Sequence, residues 1–168
     1  MAVNYRKVTE FPDTNAFQKY LQEENININF AAGQKAMKQS IELYGRKLDN
    51  RWAILPMEGW DCDAAGVPTD FTLRRWKNFA ASGAGLIAGV EAAAVMHEGR
   101  SNPRQLMVSD KSLPVLAESV KTMRKIRHDQ FGSEAVIGLQ LTHSGRYAHP
   151  NEDAKLESRI AYSHPLLD

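Results

Sequence analysis

The chain has 168 residues, of which 43% are hydrophobic and 24% charged, and its formal net charge is +1. These values are typical of a globular domain with a sizeable core, and they give no reason to expect a nucleic-acid partner. A single cysteine, Cys62, excludes an internal disulfide and favours a cytoplasmic location, and no apolar run approaches the roughly 18 residues that a membrane span needs.

The beginning of the chain is irregular. Residues 1–50 are predicted to be a leader segment, and residues 51–168 are predicted to form the main domain. Within the leader, Asp13 or Thr14 is suited to cap a short helix, because a side-chain oxygen at that position accepts a hydrogen bond from the first helical turn. A further helical segment is expected over residues 36–44.

The main domain alternates short apolar runs with amphipathic segments. Asp70 is predicted to cap the first of its helices and Gly83 to end it. Ser112 and Pro114 are predicted to open the second helix, which Gly132 ends. The predicted order is strand 52–55, helix 70–83, strand 85–90, helix 112–132 and strand 135–141.

This order predicts an α/β fold with parallel strands, because consecutive strands joined through helices pair by right-handed crossovers. Two architectures fit, an open doubly wound sheet and part of an eightfold barrel, and in both the ligand site lies beyond the carboxyl ends of the strands. A complete barrel takes about 250 residues, so the chain is expected to hold roughly half of one. It would be a truncated N-terminal portion, or one half of a split or assembled protein.

Four sequence blocks resemble the Old Yellow Enzyme family, which comprises FMN-dependent NAD(P)H oxidoreductases on a (β/α)8 barrel. The blocks are NRWAILPM at residues 50–57, GVPTD at 66–70, GAGLIAGVEAAAV with EGR at 83–100, and QLTHSGRY at 140–147. The resemblance implies the N-terminal part of a TIM barrel, with about the first three strand–helix units after the leader. It implies that residues 51–168 form an incomplete FMN-binding domain.

The resemblance also implies a set of cofactor-binding residues. Pro56 and Met57 would lie against the FMN ring, and Ala92 would contact it through its backbone. Gln140 would hydrogen-bond the pyrimidine edge of the ring, where an amide matches both donors and acceptors. Glu58 stands where the family has a small residue that tunes the flavin. If ionised, it would disfavour a negatively charged reduced ring, and if protonated it would donate a hydrogen bond.

On the substrate side, the resemblance places Trp60 and Thr142 in the pocket. It implies an ene-reductase-like reaction in which hydride passes from NADH or NADPH through flavin to an electron-poor, small-molecule acceptor. The family's substrate-anchoring His pair, proton-donating Tyr and phosphate-binding Arg residues come from later strands. No catalytic residue is therefore assigned, and this portion alone is expected to be inactive.

Two other hypotheses remain open from the residues themselves. The chain could be a non-catalytic half-barrel assembly module, which pairs its exposed strand edges with a C-terminal barrel half or with a second copy. Alternatively, Glu58, Asp61 and Asp63 could hold a divalent metal ion for a different barrel enzyme, although the preferred interpretation contains no metal. Arg100 is expected to anchor a loop rather than to act in catalysis.

Overall fold

A computed structural model describes residues 5–30, 33, 35–153 and 155–167. The chain divides into two compact units, Met1–Gln34 and Lys35–Asp168. The division at residue 50 into a leader and an FMN-binding domain stays a prediction. None of the helices within the described ranges combines the length and apolarity of a membrane span.

The described part of the first unit contains the α-helix α1 (Thr14–Glu23), preceded by a short 3-10 helix at Val8–Glu10. Helix α1 begins after Asp13, whose carboxylate accepts a hydrogen bond from the Ala16 backbone N–H at 2.8 Å. The predicted cap at Asp13 is therefore confirmed. Leu21 is the buried residue of this helix.

The second unit opens with an antiparallel hairpin of β1 (Ile41–Leu43) and β2 (Arg46–Leu48). The helix predicted over residues 36–44 is therefore wrong. Tyr44 and Gly45 make the turn with φ angles of 49° and 72°. Two successive residues with positive φ give the turn whose twist matches a hairpin. Tyrosine rarely adopts such a φ, so Gly45 was the only one of the two turn residues whose type indicates a hairpin turn.

Five short strands follow, all in parallel pairs. They are β3 (Ala53–Ile54), β4 (Leu86–Ile87), β5 (Ala92–Ala94), β6 (Val136–Ile137) and β7 (Gln140–Thr142). Strands β3, β4 and β6 form one sheet in that order, and β5 pairs with β7. The third predicted strand, 135–141, is thus divided into β6 and β7, whereas the second, 85–90, contains only β4, and β5 lies beyond it. The side-by-side arrangement in chain order is that of a barrel wall.

Helices α2 (Asp70–Ala81) and α3 (Leu113–Phe131) connect these strands. Thr69, not Asp70, is the N-cap of α2, and its backbone N–H donates to the Thr72 hydroxyl at 3.2 Å. Gly132 ends α3 as predicted, with a left-handed φ of 66°.

The apolar core lies between the sheet and the two helices. Its largest buried members are Trp76 of α2, Ile87 of β4, Leu106 of the loop after β5 and Met123 of α3. Ile54 packs against this core, so strand alternation places Leu55 on the opposite face, where it is 70% exposed. The helix side of the sheet is therefore covered, and the other side presents apolar residues to solvent.

Candidate functional site

Beyond the carboxyl ends of β3, β4 and β6, the chain brings together three of the residues assigned from the sequence. Ala92 of β5 stands opposite Gln140 of β7 in the strand register. The Ala92 backbone N–H donates to the Met57 carbonyl, just after β3, at 3.2 Å. Met57, Ala92 and Gln140 consequently form one continuous backbone arrangement, although they are far apart in the sequence.

Pro56 lies against the segment after β4. A Cβ atom placed on Gly89 would lie 2.1 Å from the Pro56 Cβ, so the two backbones approach more closely than any side chain at position 89 would allow. This contact fixes where the chain leaves β3. It sets the position of Met57, whose side chain is 71% exposed.

Glu58 and Trp60 are held together beyond Met57. The Trp60 indole N–H donates to the Glu58 Oε2 at 3.0 Å. The Ser101 hydroxyl donates to the same oxygen. Glu58 is half-buried, and Trp60 keeps 54% of its surface exposed. The carboxylate is therefore oriented by two donors from different segments.

Gln140 and Thr142 both lie on β7. The Gln140 backbone N–H donates to the Glu91 carbonyl at 3.1 Å, and its exposed side-chain amide makes no hydrogen bond within the described part of the chain. The Thr142 carbonyl accepts from the Val95 N–H at 3.1 Å. No hydrogen bond among the described residues joins Thr142 to Trp60, and their common place in a pocket stays a prediction.

A buried carboxylate near this cluster was missed by the sequence analysis. Glu91 is 1% exposed; its Oε1 accepts from the Gly59 N–H at 2.5 Å, and its Oε2 accepts from Arg75 at 2.8 Å and from the Trp76 indole at 3.3 Å. Burial raises the pKa of the Glu91 carboxyl, and the Arg75 guanidinium opposes that effect. The available signal was an acidic residue inside the apolar run GVEAAAV, since a buried charge needs partners.

The carboxylates of the metal hypothesis serve different partners. Asp61 accepts hydrogen bonds from Arg75 at 2.8 Å, and Asp63 accepts from the Val67 backbone N–H at 2.8 Å. Glu58 is engaged as described above. Among the residues that the structure describes, no group of three His, Cys, Asp or Glu side chains is placed to hold a metal ion. The geometry therefore lends this hypothesis no support.

Arg100 is a loop anchor, as expected. It is 1% exposed and donates to the backbone carbonyls of Ala64 and Gln105 at 3.0 Å each, and to that of Pro103. The Gln105 side chain in turn donates to the Ala92 carbonyl at 3.0 Å. The loop after β5 is thereby tied to the strand end that carries the candidate site.

Solved structures that share this fold include Old Yellow Enzymes. The Old Yellow Enzyme from Pichia sp. AKU4542 aligns with a TM-score of 0.56 at 22% identity, over 67% of this chain and 28% of that protein. The homologue from Zymomonas mobilis aligns with a TM-score of 0.52 at 25% identity, over 66% and 29%. Morphinone reductase in complex with tetrahydroNAD aligns with a TM-score of 0.52 at 21% identity, over 69% and 29%.

The chain has the fold of the N-terminal portion of an Old Yellow Enzyme. This confirms the resemblance drawn from the sequence and decides for the barrel over the doubly wound sheet. The chain spans 28–29% of the length of these three proteins. No family model matches the sequence.

The residues of this Old Yellow Enzyme-type strand end fit a flavin. The exposed Met57 side chain offers apolar surface to a ring, and the unpaired Gln140 amide offers a donor and an acceptor to its edge. The buried Ala92 adds no side-chain bulk between them. Their roles toward FMN stay predictions.

Proposed function

We propose that the protein supplies the flavin-facing strand ends of an FMN-dependent NAD(P)H oxidoreductase, ene-reductase-like in its reaction. The reductant would be NADH or NADPH, and the acceptor would be an electron-poor small molecule such as an activated alkene. The observation that carries the proposal is the hydrogen-bonded cluster of Met57, Ala92 and Gln140 on a fold shared with Old Yellow Enzymes. FMN supplies the hydride chemistry when bound.

The protein's own residues would bind and orient the cofactor. Pro56 and Met57 would support the ring with apolar surface, and Ala92 would line it through its backbone. The Gln140 amide would pair with the pyrimidine edge, where donors favour the negatively charged reduced form. Glu58, on the turn after β3, would disfavour the negatively charged reduced flavin if ionised and would donate a hydrogen bond if protonated.

The substrate side would be formed by Trp60 and Thr142. Trp60 offers an exposed indole face, on which a flat acceptor would pack. Thr142, half-buried on β7, would border the same space from the other side.

A partner would complete the barrel. Strands β3 and β6 are the edges of the described three-stranded sheet, and Leu55, Leu113 and Leu141 are 70%, 49% and 62% exposed. Edge strands of a parallel sheet with exposed apolar side chains beside them favour pairing with further strand–helix units. We propose that a C-terminal barrel half covers them, and a homo-oligomer is the alternative. The same surfaces favour a non-catalytic assembly module as the second candidate function. A cytoplasmic location remains a prediction from the single cysteine.

The first experiment is a visible absorption spectrum of the purified chain with added FMN, in air and then with NADH or NADPH. Binding would shift the flavin bands and quench flavin fluorescence, and Gln140→Ala would weaken the binding. Gln130→Ala, at an exposed position near the end of α3, is the matched control. A chain that ignores FMN yet forms a stable dimer in sedimentation would favour the assembly module.

Reduction of bound FMN by NADH or NADPH, seen as bleaching of the flavin absorption, is a separate test of the oxidoreductase reaction. We expect it only when the remaining strand–helix units of the barrel are supplied with the chain. If the reassembled protein binds FMN but NADH and NADPH both leave it oxidised, the NAD(P)H reaction is excluded.

A further inference from the structure

We propose that the buried Glu91 and the half-buried Arg75 are positioning residues for the turn at Gly59 and Trp60. Through that turn they would hold the Glu58 carboxylate and the Trp60 indole in place at the strand ends. The inference is separate from the flavin contacts themselves, since neither Glu91 nor Arg75 belongs to the cofactor-binding cluster.

Glu91 is buried and hydrogen-bonds to two separate segments of the chain. A carboxylate that is 1% exposed is costly unless each of its oxygens is paired, and both are. Oε2 receives Arg75 and the Trp76 indole, which belong to α2. Oε1 receives the Gly59 N–H at 2.5 Å, which belongs to the turn. Glu91 therefore connects a helix to the segment that carries Glu58.

Arg75 contacts the same turn at two points, Gly59 and Asp61. Its Nη2 lies 2.8 Å from an oxygen of Asp61 and 2.8 Å from an oxygen of Glu91. A Cβ on Gly59 would lie 1.9 Å from this Nη2 atom, so the turn backbone rests directly on the guanidinium. Because Arg75 contacts both sides of the turn, its loss would free Gly59 and Trp60 together.

Trp60 shows that the turn needs such support. Its φ of 52° lies in the left-handed region, which a bulky residue adopts only where its surroundings impose it. In this conformation its indole N–H reaches the Glu58 Oε2 at 3.0 Å. The contacts thus run in series from Glu91 to Gly59, to Trp60 and to Glu58.

The functional value of this positioning rests on the proposed flavin site, because Glu58 and Trp60 would face the cofactor and the acceptor there. The test therefore has one arm without flavin and one with it. The flavin-free arm records the backbone and indole N–H resonances of the ¹⁵N-labelled full chain. Trp60→Phe assigns the Trp60 indole signal.

We expect Glu91→Gln and Arg75→Lys to shift the Trp60 indole resonance and to speed its exchange with water. Glu118→Gln and Arg74→Lys, at exposed positions on α3 and α2, are the matched controls and should leave it unchanged. In the flavin arm, the two test variants should weaken FMN binding about tenfold, the effect of one lost charge-assisted hydrogen bond. Circular dichroism checks that every variant remains folded.

An unchanged Trp60 indole signal in folded Glu91→Gln and Arg75→Lys proteins would overturn the positioning role. If Glu91→Gln does not fold, Arg75→Lys and Asp61→Asn decide the question in the same spectra. A wild-type chain that binds no FMN would instead contradict the proposed function, and the flavin-free arm would still judge the positioning role.

Discussion

Each end of the parallel strands contains one buried arginine, and the two arginines bind different kinds of partner. Arg100, at the carboxyl end, is 1% exposed and donates to backbone carbonyls alone. Arg127, near the amino end, is also 1% exposed, but it donates to the Asp49 carboxylate at 2.7 Å and stacks 4.4 Å from the Phe131 ring.

The two ends of the strands therefore use their buried arginines for different purposes. Because Arg100 donates only to backbone carbonyls among the described residues, it holds its loop without pairing with a carboxylate. Glu58 and Glu91 bind other donors at the same end. The pair of Arg127 and Asp49 instead joins α3 to the segment just before β3.

Arg100→Met should destabilise the protein more than any other substitution considered below. It removes the hydrogen bonds to Ala64, Pro103 and Gln105 and leaves buried carbonyls unpaired, so the free energy of unfolding should fall by about 3 kcal/mol or more. Urea unfolding measures this loss. Arg104→Met is the control, because its partner Glu152 is exposed and such surface pairs contribute about 1 kcal/mol at most. Equal losses in both variants would contradict the anchor role.

Arg127→Met should cost less, about 1–2 kcal/mol of unfolding free energy. Asp49 is 42% exposed and keeps the Ser133 hydroxyl as a donor, so water solvates it once the arginine is gone. The Phe131 ring also keeps an apolar neighbour in methionine. The same urea experiment measures the effect, and FMN binding should stay unchanged. A cost equal to that of Arg100→Met would remove the distinction between the two ends.

Asp49 gives the amino end a dependence on pH. Burial opposes its ionisation, but hydrogen bonds from Ser133 and Arg127 outweigh burial and hold the pKa of Asp49 below its usual value of 3.8. A lowered pKa in the folded state means that stability is present above pH 3.8 and is lost as the pH falls through the folded pKa. Thermal melts between neutral pH and pH 3 should therefore show a smaller loss in Asp49→Asn. An identical acid dependence would contradict this contribution.

Cys62 should not react with thiol reagents while the protein is folded. The thiol is 4% exposed, and burial raises its pKa to about 12, so almost no thiolate forms at pH 8. A thiol reagent such as 5,5′-dithiobis(2-nitrobenzoic acid) should label it only after unfolding in urea. Rapid labelling of the folded chain would show that the carboxyl-end segment opens, which is the opposite of what its buried contacts predict.

The sequence predicted the features that depend on neighbouring residues or on repeated blocks. Asp13 and Gly132 mark helix ends through local geometry, and both predictions were confirmed. The Old Yellow Enzyme resemblance predicted the fold, and the strand order and structural neighbours confirm it. The structure brings Met57, Ala92 and Gln140 together, while their roles toward a flavin stay predictions.

The features that were missed depend on contacts between distant segments. Tyr44 adopts a left-handed conformation that its residue type does not signal. Glu91 finds its partners on α2 and on the turn after β3, and no spacing rule in the sequence connects those segments. Thr69 caps α2 in place of Asp70, a shift of one residue that local patterns do not resolve.

The parallel strand pairing also has a consequence for how the chain folds. Ala53 pairs with Leu86 and Leu86 with Val136, so each contact must close a long loop before it stabilises anything. The hairpin of residues 41–48 closes locally instead, on a timescale of about 1–10 μs for such hairpins. That hairpin should therefore be the earliest native strand pairing, while the strands that carry the candidate site pair later and expose apolar side chains to chaperones in the meantime.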